Sequence, residues 1–386
     1  MNQHVRATGT QAVRPKSGQT AIPCVLMRGG TSRGPFFKYD DLPADPELMK
    51  QVLLRTMGSP HVRQIDGVGG ADPVTSKVAI LRKSTRPDAD VDYMFAQVIV
   101  DRSYVDTSPS CGNIITAVAP FAVEEGLVDA GDPETVVRIW DVNTGSLVEA
   151  RVQTPGGVLT YEGDWRIDGV NDPYAPITLN FKHMAGAKTG SLFPTGQRAE
   201  EILGVTVSCV DMAMPVVFVP ADQVGKSGYE TKSELDNDAE LLARLEAIRL
   251  IAGERMGFGD VTGRVIPKIA LVAPPAQTGS IASRYFVPYA VATAYAVTGG
   301  VCLGTACCIE GTVPAQLARL AGASPHTVAI EHPQGQMFVT VEVEVDGTAV
   351  AVKQASLIRH ARKLMSGHIY VPSTVWAGPE PSLVGA

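Results

Sequence analysis

Ser110-Cys111-Gly112-Asn113 opens the run Ile114-Ile115-Thr116-Ala117-Val118-Ala119-Pro120-Phe121-Ala122-Val123, which closes on Glu124-Glu125-Gly126-Leu127-Val128. The run has almost no polar stripe, so a helix here must be wrapped by other structure. A second stretch repeats the frame. Thr298-Gly299-Gly300 opens Val301-Cys302-Leu303-Gly304-Thr305-Ala306-Cys307-Cys308-Ile309, which closes on Glu310-Gly311-Thr312-Val313. The shared frame reads as two related halves, each built round a buried central helix. Facing N-termini across a cleft would offer unpaired N–H groups to an anion. Cys111 at the first turn would have its thiolate favoured there. The second half offers only Thr298 at that point. A buried and inert thiol is the plain alternative.

Strand patterns dominate around these helices. Residues 22–27, 77–81, 91–100, 135–139, 148–152, 177–180, 216–219 and 268–272 are short and mostly rich in β-branched residues. Residues 337–345 alternate, and 348–352 follow Asp346-Gly347 as a hairpin partner. Helices are expected over 46–57, 197–203 and 238–252. Strands that do not alternate regularly with helices point to α+β, not to a doubly wound sheet. The expected organisation is a disordered polar tail over 1–20, a first domain over 21–195 with Lys77 and Cys111, and a second over 196–386.

Composition narrows the function. The 386 residues are 45% hydrophobic and 19% charged, as in an ordinary globular protein. A net charge of −7 argues against nucleic acid or an anionic membrane as partner. No run reaches the roughly eighteen apolar residues of a membrane span, and no signal-peptide pattern stands at the start. Cysteines 24, 111, 209, 302, 307 and 308 show no framework spacing, and neither CxxC nor HExxH occurs. A disulfide scaffold and a structural zinc are therefore not expected, and a reducing cytoplasm is.

Two glycine-rich segments carry further chemistry. Arg28-Gly29-Gly30-Thr31-Ser32-Arg33-Gly34 reads as a loop that admits a ligand to its backbone, with arginines to fork onto a carboxylate. Gly67-Val68-Gly69-Gly70-Ala71-Asp72-Pro73-Val74-Thr75-Ser76-Lys77 places a lysine where a loop becomes an apolar strand. Desolvated there, Lys77 would serve as base or acid; beside a thiol it would stay cationic and favour the thiolate. Solvated arginines and a snorkelling lysine are the plain readings of both segments. Met214, in Asp211-Met212-Ala213-Met214-Pro215, and His332, in Glu331-His332-Pro333-Gln334-Gly335, are further candidates.

Together, and in this order, these motifs resemble the 2-methylaconitate cis–trans isomerase and methylitaconate isomerase family. They are Arg28-Gly29-Gly30-Thr31-Ser32, Gly69-Gly70 with Thr75-Ser76-Lys77-Val78-Ala79, Cys111-Gly112-Asn113, Met214-Pro215-Val216-Val217 and His332-Pro333-x-Gly335. Gly58-Ser59-Pro60, Arg63-Gln64-Ile65-Asp66-Gly67 and Asp92-Tyr93-x-Phe95-Ala96-Gln97 narrow the resemblance to the tautomerase branch of aromatic-acid breakdown. So does Arg244-Leu245-Glu246-Ala247-Ile248-Arg249-Leu250.

The resemblance implies a diaminopimelate epimerase-like fold: two pseudo-symmetric domains, each a mostly antiparallel curled sheet round a central helix. It implies a proton shift on a small unsaturated di- or tricarboxylate, without cofactor or metal, in a chain that admits a homodimer. Cys111 and Lys77 fall on the family's catalytic pair. Arg28, Gly29, Gly30, Thr31, Ser32, Arg33, Gly69, Gly70, Ser76, Gly112, Asn113, Met214, Thr298, Gly299, Gly300 and His332 are the expected substrate contacts. Arg33 stands where the family has lysine, and Gln334 where it has serine. One cysteine suits a tautomerase or an allylic isomerase better than a racemase, which needs an acid and a base on opposite faces. A cysteine nucleophile working with His332, or a non-catalytic acid-binding protein, are the other classes.

Overall fold

A computed structural model describes residues 18–182, 184–287, 290–292, 295–346 and 349–379. The first half runs β1 (Gln19–Gly29), β2 (Ser32–Lys38), α1 (Pro46–Met57), β3 (Lys77–Lys83), β4 (Val91–Val98), β5 (Val105–Asp106), α2 (Gly112–Ile115), α3 (Val118–Glu124), β6 (Glu134–Asp141), β7 (Ser146–Gln153) and β8 (Ile177–Lys182). The second begins β9 (Glu200–Ile202), β10 (Val205–Met212), β11 (Met214–Pro220), α4 (Lys232–Asp236), α5 (Ala239–Arg255), β12 (Lys268–Ala273) and β13 (Ile281–Phe286). It continues through α6 (Val297–Cys307), α7 (Val313–Leu317), β14 (His326–His332), β15 (Gly335–Asp346), β16 (Ala349–Arg359) and β17 (Ala361–Pro372).

The repeat read from two helices extends to the strand pairing. β1–β2 is antiparallel, β2–β3 parallel, β3–β4 antiparallel, β4–β6 parallel, then β6–β7 and β7–β8 antiparallel. β10–β11, β11–β12, β12–β13, β13–β14, β14–β15 and β15–β16 follow the same sequence of senses. α1 and α5 occupy equivalent connections, as do α2–α3 and α6. The fold class is α+β, as expected. β8 also pairs with β16, and β17, which follows β16 after His360 alone, pairs along the whole of β1. By pairing, then, β17 lies in the first half's sheet, although 361–372 falls within the segment 196–386.

Each helix starts and stops for local reasons. Asp45 accepts from the Leu48 amide at 2.7 Å, Pro46 opens α1, and Gly58 closes it in the left-handed conformation. Asp238 caps α5 in the same way through Leu241. The run after Cys111 differs from the expected single helix, because Pro120 has no N–H to give the Thr116 carbonyl. The chain tightens there, Ala117 N bonding Ile114 O at 3.0 Å, and restarts as α3. Residues 197–203, expected as a helix, hold the short strand β9, which turns back at Leu203 and Gly204, both at positive φ. Of the expected tail, 1–17 lie outside the described residues, and Gln19 and Thr20 belong to β1. The start of the expected strand at Thr348 also lies outside them; Asp346 pairs with Ala349.

One continuous core contains both central helices, with Ile114, Ile115, Val118 and Phe121 from the first half and Val301, Cys302, Leu303 and Ala306 from the second. Separate cores lie under α1 and α5. The helices meet end to end, for a Cβ on Gly112 would lie 2.4 Å from Val297 Cβ. Gly112→Ala therefore overpacks the junction, and thermal unfolding should show a loss of about 1–3 kcal/mol. An unchanged Tm would mean that the two helices separate freely.

Candidate active site

Alternation along the strands decides which side chains reach the central helices. In β3, Val78 and Ile80 pack under α1, while Ala79 and Leu81 pack on the central helices. Lys77 shares the second face. Its ammonium lies 5.0 Å from the centroid of Phe95 and donates to Gln97 Oε1 at 2.8 Å. Gln97 Nε2 in turn donates to the carbonyls of Ser76 and Pro73, which fixes the carboxamide and hence the lysine. Ser76 points the other way. It is fully buried, donates to Val98 O at 2.7 Å and accepts from Gln64 Nε2 at 2.6 Å. Ser76 is thus a strut of the 58–76 loop and not a group at the cleft.

Cys111 is the N-cap residue of α2, half-buried, with extended backbone and no capping bond from its sulfur. α2 is a single turn, so its macrodipole is far smaller than that of the long helix expected from sequence. What remains near the sulfur is the set of first-turn amides of Gly112, Asn113 and Ile114, which have no intrahelical partner. Behind it stands Tyr93, fully buried, its phenol pushed well above the usual range by burial and by the neighbouring Cys111 and Asp141. The carboxyl of Asp141 is itself raised, mainly by burial, and accepts from the Asn143 amide at 3.0 Å.

In the second half the N-cap residue is Ala296, not Thr298. Gly299 gives room to the Tyr285 ring and Gly300 to Met337 Sδ, each within 2.6 Å of a would-be Cβ. Gly300 N is committed to Ala296 O at 2.8 Å. These glycines serve packing.

The first glycine-rich segment is a hairpin, not a loop after a strand. Arg28 and Gly29 end β1, Ser32, Arg33 and Gly34 begin β2, and Gly30 and Thr31 make the turn. Gly29 lies opposite Ser32, and both belong to the face towards α2; a Cβ on Gly29 would meet Asn113 O at 2.3 Å. Thr31 and Asn113 exchange hydrogen bonds, Thr31 N to Oδ1 at 3.4 Å and Nδ2 to Thr31 Oγ1 at 3.1 Å. Arg28 and Arg33, opposite each other, share the other face, which the glycine-loop reading did not distinguish. Arg28 braces the turn through Gly30 O and His360 O and stacks on Tyr174. Arg33 reaches Gly70, where its Nη2 lies 2.9 Å from a would-be Cβ, while Gly69 makes room for Gln64. Met214 packs at the edge of the joint core.

Where the halves meet, a small cavity is lined by Thr31, Asn113, Asp168, His332, Gln336 and Arg359, among others. Its enclosed part holds about 10 Å³, room for a single water. Cys111 and Lys77 do not line it; Asn113, next but one to Cys111, does. Burial, helped by Arg359 and Arg284, pushes the His332 imidazole down to about 4, so it is neutral near pH 7. Asp168, Gln336 and Arg359 were missed in the sequence, since each reads there as an ordinary surface or strand-end residue. Among the described residues no group of three or more His, Cys, Asp or Glu is placed to hold a metal ion, and no helix is long and apolar enough to cross a membrane.

Comparison with known proteins agrees with this architecture. The model of the PrpF protein family matches residues 19–372. The chain is 47% identical to a 4-oxalomesaconate tautomerase of Pseudomonas putida, over 94% of this chain and 99% of that one. It is 41% identical to a methylitaconate-delta-isomerase of known crystal structure, with TM-score 0.82 over 95% of this chain and 99% of that one. A hydroxyproline epimerase from Agrobacterium vitis, 14% identical with TM-score 0.54 over 94% and 93%, shares the fold alone. With matched motifs in order, a doubled sheet and an alignment along nearly its whole length, the chain belongs to the PrpF protein family and is an isomerase.

Proposed function

We propose that the protein catalyses the keto–enol tautomerisation of 4-oxalomesaconate in the breakdown of aromatic acids, by proton transfer at Cys111 and Lys77. The observation that carries this reading is that Lys77 leaves β3 on the face towards the central helices, while Cys111 stands at the cap where those helices meet. The CH₂ between the carbonyl and the unsaturated acid is acidic because its anion spreads over both. One member of the Cys111–Lys77 pair takes that proton, charge moves onto the carbonyl oxygen, and the oxygen is protonated. The first-turn amides of α2 would hold the developing dienolate. The lone cysteine favours this one-sided transfer over racemisation, for Ala296 at the opposite cap carries no acid or base.

A 1,3-allylic isomerisation of methylitaconate is the second reading, favoured by the likeness to the methylitaconate-delta-isomerase. It differs in returning the proton to carbon. Ultraviolet-monitored turnover of both substrates separates the two. Wild type should turn over 4-oxalomesaconate, and Cys111→Ala and Lys77→Ala should each lose about 10²–10⁴-fold in kcat. Turnover of methylitaconate alone would overturn the first reading, and full activity in either variant would remove that residue from the chemistry.

Acid titration tests the cavity. An unfolded histidine binds a proton below its ordinary value of 6.5, whereas folded His332 does so only near 4. Between those values the unfolded chain holds more protons, so this contribution is fully present above pH 6.5 and is lost as pH falls towards 4. Urea midpoints should drop over that window, and less steeply in His332→Gln. Equal slopes in the two proteins would assign the loss to other groups.

A further inference from the structure

Arg359 ends β16, at the point where the second half's sheet passes into the first. It is 8% exposed and lines the cavity between the halves. Its guanidinium donates from Nη1 to Ile358 O at 3.2 Å. Among the described residues it makes no ion pair within 4 Å; the nearby carboxylate is that of Asp168, close enough to steady the charge that burial disfavours. A buried guanidinium with donors turned to a cavity is costly unless an anion completes it.

Asp168 reaches the cavity from the β7–β8 connection. That segment is pinched at its base, where Trp165 and Tyr174 exchange backbone bonds of 3.1 and 3.0 Å. Its tip spans both halves. Asp168 Oδ2 accepts from the Gln336 amide at 2.5 Å, and Gly169 lies against the Thr31 methyl. Asp168 thus brings a carboxylate to the only part of the molecule, among the described residues, where a buried cation, the neutral His332 and the amide of Asn113 share one cavity.

We propose that Arg359 is the anchor for a substrate carboxylate, and that Asp168 is a built-in competitor which the substrate's own carboxylate displaces. This rests on the reading of the substrate as a small unsaturated polycarboxylate. Asn113 lines the cavity two residues along from Cys111, so a molecule anchored at Arg359 extends towards the reactive cap. Displacing Asp168 from Arg359 requires the Asp168 tip, held through the Gln336 amide, to shift as the substrate binds.

The test is calorimetric titration of the Cys111→Ala protein with propane-1,2,3-tricarboxylate, a non-reacting probe, beside turnover by proteins with intact Cys111. Arg359→Gln should weaken binding about tenfold or more, the scale of a lost charge-assisted pair, and Arg359→Lys should weaken it less. In turnover, Arg359→Lys should raise KM more than it lowers kcat. Asp168→Asn keeps the acceptor for Gln336 N but removes the charge, and should tighten the probe several-fold. A purely structural Asp168 gives unchanged or weaker binding, and that result overturns the proposal, as does unchanged affinity in the folded Arg359 variants. Should Arg359→Gln fail to fold, Arg359→Lys and Asp168→Asn decide. Wild-type turnover of 4-oxalomesaconate with Arg359-independent binding would sink the anchor and leave the reaction standing. Arg359-dependent binding without that turnover would do the reverse.

Discussion

Two apolar helices that no solvent could tolerate meet end to end at Gly112 and Val297, and this contact governs the rest. Each helix needs a sheet curled round it. Because the ends touch, the two halves of the sheet lie side by side, joined through β8–β16, and share one core. A side chain at residue 112 would push the caps apart, and the cleft with them. The Cys111 cap is therefore placed by packing of the whole molecule, while its own turn contributes only a few amides without an intrahelical partner.

Much of this was legible in the sequence because it rests on repetition. The apolar runs after Cys111 and Gly300 and the recurrent Glu-Gly close betrayed the halves before any pairing was known. α1 and α5 were equally plain, having Asp caps before periodic leucines, isoleucines or methionines. Harder to read was anything that depends on which way a strand faces. Arg28 and Arg33 looked like ligands because they flank glycines, yet the hairpin register turns both away from α2. Ser76 and Lys77 are adjacent in sequence and end on opposite sides of one sheet.

Asp168, Gln336 and Arg359, which line the cavity beside His332, failed to show for another reason. They come from three separate stretches, brought together only when the halves dock. No local spacing encodes that meeting. Pro120 is the opposite case, a local signal, for a proline is tolerated in a helix's first turn and breaks the ladder anywhere later.

The pairing of β17 with β1 bears on how the chain reaches this state during synthesis. On emerging from a ribosome, β1 has one lasting neighbour at once, β2, but its other edge waits for residues 361–372. Until then the N-terminal half carries an open strand edge, the kind of surface that captures other chains. Its sheet cannot be completed vectorially, because β17 follows the whole of the second half in the chain.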